Sequence, residues 1–466
     1  MYTTQTKPAI NPIAELIQQQ RVFFKTNATK SIDFRVTQLK ALKGSIIQYE
    51  AQLLEALYQD LGKSDAEAFL TEIAMVKQEI DNALRYLKKW AAPQRATTPL
   101  QYQPAKSYKI AEPYGVVLVV APWNYPVQLA LLPVVGAIVA GNTVVLKPSE
   151  VAPASSKVLK EMLTNNFEEN FVAVVEGGIE EAKTLMNERF DYIFFTGSTQ
   201  VGQIYYEAAA KHLTPVTLEL GGKSPCIVEA DANLKKAAER IIFGKYLNCG
   251  QTCIAPDYLL VNREVKEELI AELKAAVEKM YTKNTATCEW YPRIINEHHF
   301  NRLVGMIESE KVIYGGKFDQ TKLYIAPTFM DNITKEDAAM QEEIFGPILP
   351  IMTVDNVTEA IDFINEGEKP LALYIFSKNQ QTINQVFEAT SFGNGCVNDT
   401  IIQISNKNLP FGGVGKSGIG SYHGRYSFET FSHYKSIMKQ AAFEPTARFR
   451  FAPWNYKLLR QIFKYL

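Results

Sequence analysis

From residue 116 to residue 220, short apolar runs alternate with helical stretches, and this alternation limits the fold more than any other feature of the chain. The apolar runs are 116–120, 143–146, 172–175, 192–195 and 216–220, and helical periodicity fills 127–140, 153–163, 179–187 and 199–210. Strand, helix, strand at this spacing predicts right-handed crossovers and a parallel sheet buried on both faces, a Rossmann-like α/β fold. Ligands of such sheets bind beyond the carboxyl ends of the strands, where the strand order reverses. Asn124, Lys147, Glu150, Thr196, Gly197, Ser198 and Glu219 all fall at such ends.

A second α/β region follows, to about residue 399, with strands expected at 225–228, 258–261, 348–354, 371–376 and 395–398. Ahead of the alternating region, residues 11–91 read as helices at 13–18, 35–61 and 67–90, with Gly62 closing the second, and no chemistry is assigned to them. Pro93 and Thr97-Thr98-Pro99 mark a connection, and 409–420 is a glycine-rich loop. With 466 residues the chain can bury a large core in two or three domains. Lys plus Arg number 49 against 50 Asp plus Glu, so nothing favours nucleic acid or a strongly charged partner. Five cysteines do not make a secreted disulfide framework. Residues 1–20 lack the basic and apolar regions of a signal peptide, and the apolar stretch 127–140 is too short to span a bilayer. A soluble, cytoplasmic protein is expected.

Glu219 ends one apolar run and is followed by Leu220-Gly221-Gly222-Lys223-Ser224-Pro225; Asn248-Cys249-Gly250-Gln251-Thr252-Cys253 closes on a thiol 34 positions later. A strand and a helix between them can return both ends to one side of a sheet. A thiol beside a carboxylate suits covalent catalysis with a base, whereas a lone Cys is more often a small buried hydrophobe. The turn Phe194-Phe195-Thr196-Gly197-Ser198-Thr199-Gln200-Val201-Gly202 opens a helix, where backbone N–H groups favour a phosphate, although an ordinary tight turn has the same look. Lys147 and Glu150 can hold ribose hydroxyls or simply be solvated. Asn124, in Ala121-Pro122-Trp123-Asn124-Tyr125-Pro126, suits an oxyanion hole or a turn. Cys249 with Cys253 spaces like a metal or redox pair, but no His cluster joins them; His298 and His299 are expected to cap or solvate a helix, and no metal site is expected.

The boxes around Glu219 and Cys253 resemble the two signature boxes of the aldehyde dehydrogenase superfamily. Lys147-Pro148-Ser149-Glu150, the Gly197-Ser198-Thr199 turn, the Asn124 box and Glu342-Glu343-Ile344-Phe345-Gly346-Pro347 match further family boxes, and the likeness runs from about residue 23 to residue 440. It is nearest the class 3 branch of fatty and aromatic aldehyde dehydrogenases, on 248–258 and 420–433. A shortened stretch around 288–291 and Pro292 in place of a usual Gly depart from the pattern.

The resemblance implies Cys253 as nucleophile, Glu219 as base and Asn124 as oxyanion donor. It implies NAD(P) contacts at Trp123, Lys147, Glu150, Thr196, Gly197, Ser198, Gly202, Leu220, Gly221, Glu343 and Phe345. Glu150 should disfavour a 2′-phosphate, so NAD is expected ahead of NADP, which remains possible. It also implies a cofactor domain of residues 1–99 and 113–219, a catalytic domain of 220–415, and a β arm of 100–112 and 416–445 that pairs across a homodimer. Apolar Tyr125, Phe243, Ile401, Ile402 and Phe411 flank the boxes with no Arg beside them, which suits a long-chain or aromatic aldehyde. Rival readings are a cofactor-free thiol esterase, a semialdehyde-specific or acylating dehydrogenase, and a non-catalytic relative. In the tail, 446–466, a helix starting at Pro453 is expected to carry Trp454, Leu458, Leu459, Ile462, Phe463 and Leu466 on one face. It would dock on its own domain, cover the substrate entrance or rest on a membrane surface.

Overall fold

The computed structural model describes residues 11–443, 450–462 and 464. Its first large sheet has six strands in the order Gly418–Ile419, Val216–Glu219, Tyr192–Thr196, Val116–Val120, Thr143–Lys147 and Val172–Val174. All pair in parallel except the short Gly418–Ile419 edge. The five parallel strands start from the centre and are wound outward in both directions, so the order reverses beside Val116–Val120. The alternation of apolar runs placed these strands to within a residue or so. Helix Gln128–Ala140 is buried along its whole length, between this sheet and the N-terminal helices Ile32–Gln48 and Ala74–Trp90. That burial accounts for its continuous apolar sequence, and among the described residues no helix is long and apolar enough to cross a membrane.

The second sheet has seven strands, ordered Val312–Tyr314, Thr328–Met330, Ile348–Val354, Tyr258–Asn262, Pro225–Val228, Ala372–Phe376 and Asn394–Val397. Only the first pairing is antiparallel. Its first two strands, three residues each, were not expected from the sequence; runs that short carry no periodic signature. A third, antiparallel sheet joins Gln94–Ala96, Lys106–Pro113 and Ser432–Lys439. It begins before the expected arm, and Gly418–Ile419, expected within the arm, instead edges the first sheet.

The expected helix over 35–61 is two helices, Ile32–Gln48 and Glu50–Leu61, broken at Tyr49, whose φ of −95° and ψ of 7° leave the helical region. Gly62 ends the second in the left-handed conformation, with φ 65°. The third stretch holds a π-helical turn, Phe69–Ile73, between Asp65–Ala68 and Ala74–Trp90. In the tail the helix is Tyr456–Ile462, so Pro453 and Trp454 precede it rather than open it. Phe463 and Leu466 lie outside the described residues.

Candidate active site

Helix Leu234–Tyr246 runs into a turn in which Asn248, Cys249 and Gly250 are all left-handed, with φ of 52°, 55° and 76°. Asn tolerates this conformation and Gly requires no side-chain compromise, but a left-handed Cys is strained. A Cβ on Gly250 would lie 2.3 Å from the Gly346 carbonyl oxygen, so only glycine fits. The turn separates the two thiols. Cys249 is fully buried, and burial pushes it up to about 12 despite the Tyr291 hydroxyl beside it. Cys253 faces a cavity of about 230 Å³.

Glu219 reaches the same cavity from the end of its strand. It is 3% exposed and neither carboxyl oxygen has a protein partner. Burial raises it well above the ordinary carboxyl range. The Cys253 thiol is raised too, first by burial and then by the Glu343 and Glu219 carboxyls. Asn124 is 3% exposed and its Nδ2 donates to the Gln251 carbonyl at 3.0 Å, which fixes the amide beside the thiol loop. One amide N–H remains for another acceptor.

Tyr125, Phe243, Ile401 and Phe411 all line the cavity, as does Ile402. The Tyr125 hydroxyl lies 2.6 Å from Thr252 Oγ1. Ile401 has φ 53°, a costly conformation for a β-branched residue, and it sits on the cavity wall. Sequence reasoning missed Tyr422, whose buried hydroxyl has no protein partner and which lines the cavity too. It also missed Leu70, Thr71 and Met75, which come from the helical region to which no chemistry was assigned. The one signal was Leu70 itself, a large apolar residue 60% exposed on its helix.

The expected cofactor residues fall into two groups. Lys147, 3% exposed at its strand end, donates to Glu150 at 2.8 Å. Across strand Val116–Val120, at the end of strand Tyr192–Thr196, Thr196 leaves a buried hydroxyl without a partner among the described residues, and Ser198 caps helix Thr199–Ala210. A Cβ on Gly202 would lie 2.6 Å from the Leu220 side chain, so this glycine lets helix and linker close. The second group faces the thiol side. A Cβ on Gly221 would collide with the Glu343 carboxyl, which accepts the Gly222 N–H and is pushed up to about 8 by burial and then by Asp257. Trp123 meets Phe345 edge to face at 5.3 Å. An orphaned hydroxyl, glycines that admit close approach and a capped helix N-terminus at a strand-order reversal fit a dinucleotide.

His298 and His299 do not cap: Asn296 caps helix Glu297–Val304, accepting from the His299 N–H. The His299 ring lies 4.8 Å from that of Trp123 and is held at about 4 chiefly by burial. Among the described residues no group of three His, Cys, Asp or Glu side chains is placed to hold a metal.

A nucleotide-type sheet whose strand ends meet a thiol and an unpaired carboxyl defines a dinucleotide-dependent oxidoreductase of the covalent, thiol-using class. The comparisons narrow this. The chain belongs to the aldehyde dehydrogenase family, whose model matches residues 10–437, and it stands with the class 3 branch, whose members reach 45–46% identity. It is 47% identical to the 4,4'-diaponeurosporen-aldehyde dehydrogenase of Staphylococcus aureus, over 98% of this chain and 100% of that one. It is 44% identical to the "aldehyde dehydrogenase, dimeric NADP-preferring" of Rattus norvegicus, over 97% and 100%. A solved structure, the substrate-bound state of Staphylococcus aureus AldH, superposes with a TM-score of 0.94 at 46% identity, covering 97% of this chain and 100% of that one. The protein is an NAD(P)-dependent aldehyde dehydrogenase, which oxidises an aldehyde to its acid.

Proposed function

We propose that the aldehyde is long and apolar and that Cys253, Asn124 and Glu219 carry its oxidation. The observation that carries this reading is the thiol and the unpaired carboxyl sharing one apolar cavity. Cys253 Sγ, as its thiolate, attacks the carbonyl carbon. The oxygen takes the negative charge and is held by the Asn124 amide and the Cys253 N–H. Lys147, Ser198 and Glu343 would hold NAD(P), which when bound would supply the acceptor for the hydride that leaves the carbon. Glu219, in its ionised form, then removes a proton from water, which attacks the thioester carbon; the carbon–sulfur bond breaks, releasing the acid and the Cys253 thiolate.

Several features support the finer points. The cavity walls are mainly apolar and, among the described residues, no Arg or Lys lines them, which disfavours a semialdehyde carboxylate. Glu150, partly exposed beside Lys147, favours NAD over NADP by repelling a 2′-phosphate. Strand Ser432–Lys439 has one edge unpaired among the described residues and exposes Ile437 and Met438, which favours pairing with a second copy in a homodimer. The tail exposes Phe451, Trp454, Tyr456 and Leu458 beside Lys457 and Arg460, a composition suited to an anionic lipid surface. A cytoplasmic location completes the reading; all five cysteines are free. An aldehyde panel of graded chain length, read by NADH and NADPH absorbance, tests it. Ester hydrolysis without cofactor, and no NADH from any aldehyde, would favour the esterase.

A further inference from the structure

The helical segment that precedes the first sheet holds three charged side chains that point into the protein rather than to water. Lys63 and Glu72 form an ion pair with both side chains fully buried. Lys63 also donates to the backbone carbonyl of Asn124 at 3.1 Å, and its ammonium lies 4.0 Å from the centre of the Tyr125 ring. The second Glu72 oxygen accepts the N–H groups of Val127 and Gln128 at 2.9 and 3.1 Å, at the start of the helix that follows the Asn124 loop. Glu67 accepts the N–H of Asn248 at 2.7 Å. Asn248 Nδ2 in turn donates to the Asn124 and Gln251 carbonyls at 2.8 and 3.0 Å.

Two loops that must stand in fixed relation for an oxyanion to be held are therefore tied to one short segment. Removing two charges from water is costly, and an ion pair persists there only when its remaining hydrogen bonds are satisfied. Here those bonds go to the Asn124 carbonyl and to the backbone N–H groups of Val127 and Gln128 just after it. The left-handed Asn248–Cys249 turn needs an external hold against its strain, and Glu67 supplies one. Glu72 lies on the π-helical turn Phe69–Ile73, whose other residues Leu70 and Thr71 line the substrate cavity. π-Turns recur at functional sites because they redirect side chains within a helix.

We infer that Lys63, Glu67 and Glu72 form a buried ionic clamp that positions the Asn124 amide relative to Cys253 for the oxyanion-forming step. They are positioning residues, acting through Asn124, and the inference rests on the proposed role of Asn124. Its test is a double-mutant cycle on the pre-steady-state burst of NADH. Lys63→Met with Glu72→Gln removes both charges together and keeps an acceptor for the Val127 and Gln128 N–H groups; Glu67→Ala is the second, independent variant. Folded fraction is followed by circular dichroism and NADH binding by fluorescence.

In the natural background the burst should slow by about tenfold or more per folded site, with aldehyde KM changed by no more than about threefold. In an Asn124→Ala background, itself slowed about 10²–10³-fold, the clamp variants should cost nothing further. A burst within about threefold of natural in folded clamp variants, or an equal further loss in the Asn124→Ala background, overturns the clamp. If the Lys63→Met, Glu72→Gln protein does not fold, Glu67→Ala decides on the same two criteria. A normal burst in Asn124→Ala alone would instead overturn the role given to Asn124, and the clamp with it.

Discussion

Replacing Glu219 by Gln separates two consequences of one geometry. The side chain is 3% exposed, neither oxygen has a protein partner, and burial alone raises its pKa. Gln keeps the volume and an acceptor but cannot take a proton. Release of the acid should slow by about 10²–10⁴-fold, a barrier increase of about 2.7–5.4 kcal/mol at 1.36 kcal/mol per tenfold. Thioester formation does not call on the base in this scheme. Rapid mixing of enzyme, cofactor and aldehyde should therefore give one fast equivalent of NADH per site and then almost nothing.

The same variant should alter the pH dependence of stability. A carboxyl whose folded pKa is raised binds more protons folded than unfolded between the two values, so its contribution is present below the unfolded pKa and is lost as pH rises. An unsatisfied buried polar group costs about 1–3 kcal/mol, and a charged one more. Glu219→Gln escapes that loss, so its melting temperature relative to the natural protein should climb by on the order of 2–4 °C between acid and alkaline pH. A burst that vanishes together with steady-state turnover would mean that Glu219 also activates the thiol. A melting difference that is flat with pH would mean that the carboxyl is not held protonated, and the argument from burial would fail.

Cys253→Ala should abolish oxidation, whereas Cys249→Ala should keep most activity because that thiol is sealed behind the turn; loss of turnover in Cys249→Ala alone would reverse the assignment. Glu150→Gln should raise the NADP/NAD ratio of kcat/KM, and an unchanged ratio would move cofactor discrimination elsewhere. Removing residues 452–466 should spare short aldehydes, weaken long ones and lower binding to anionic vesicles; equal loss at every chain length with a lower Tm would leave only a docking role.

The parallel sheet was legible because a strand buried on both faces is mostly apolar, and the five runs of the first sheet are, apart from Thr143, Thr217 and Glu219. The antiparallel sheet was not legible in this way, since Lys106–Pro113 mixes exposed and half-buried residues with charges and shows no clean alternation. The helix break at Tyr49 was invisible for a different reason: no Pro or Gly stands there, and the apolar spacing continues across it. Glu219 and Cys253 could be paired from spacing because the strand and helix between them return the chain to one edge. Lys63, Glu67 and Glu72 could not, since Lys and Glu on a helix are ordinarily solvated and only packing shows that these are not.

The same packing explains why the base stands where it does. Glu219 is the last residue of its strand in one large sheet and Pro225 the first of the next strand, in the other sheet, so the five residues between them bridge the two halves. That bridge contains Gly221 and Gly222, which lets Glu343 approach closely but leaves the backbone free to hinge. Lys223 removes the freedom. Its ammonium pairs with Asp257 and donates to the Ala339 and Glu342 carbonyls at 2.8 and 2.9 Å, while Asp257 accepts the Ile344 N–H at 2.9 Å. The carboxyl proposed to activate water and the one placed against the glycines are thus referred to a single anchored linker.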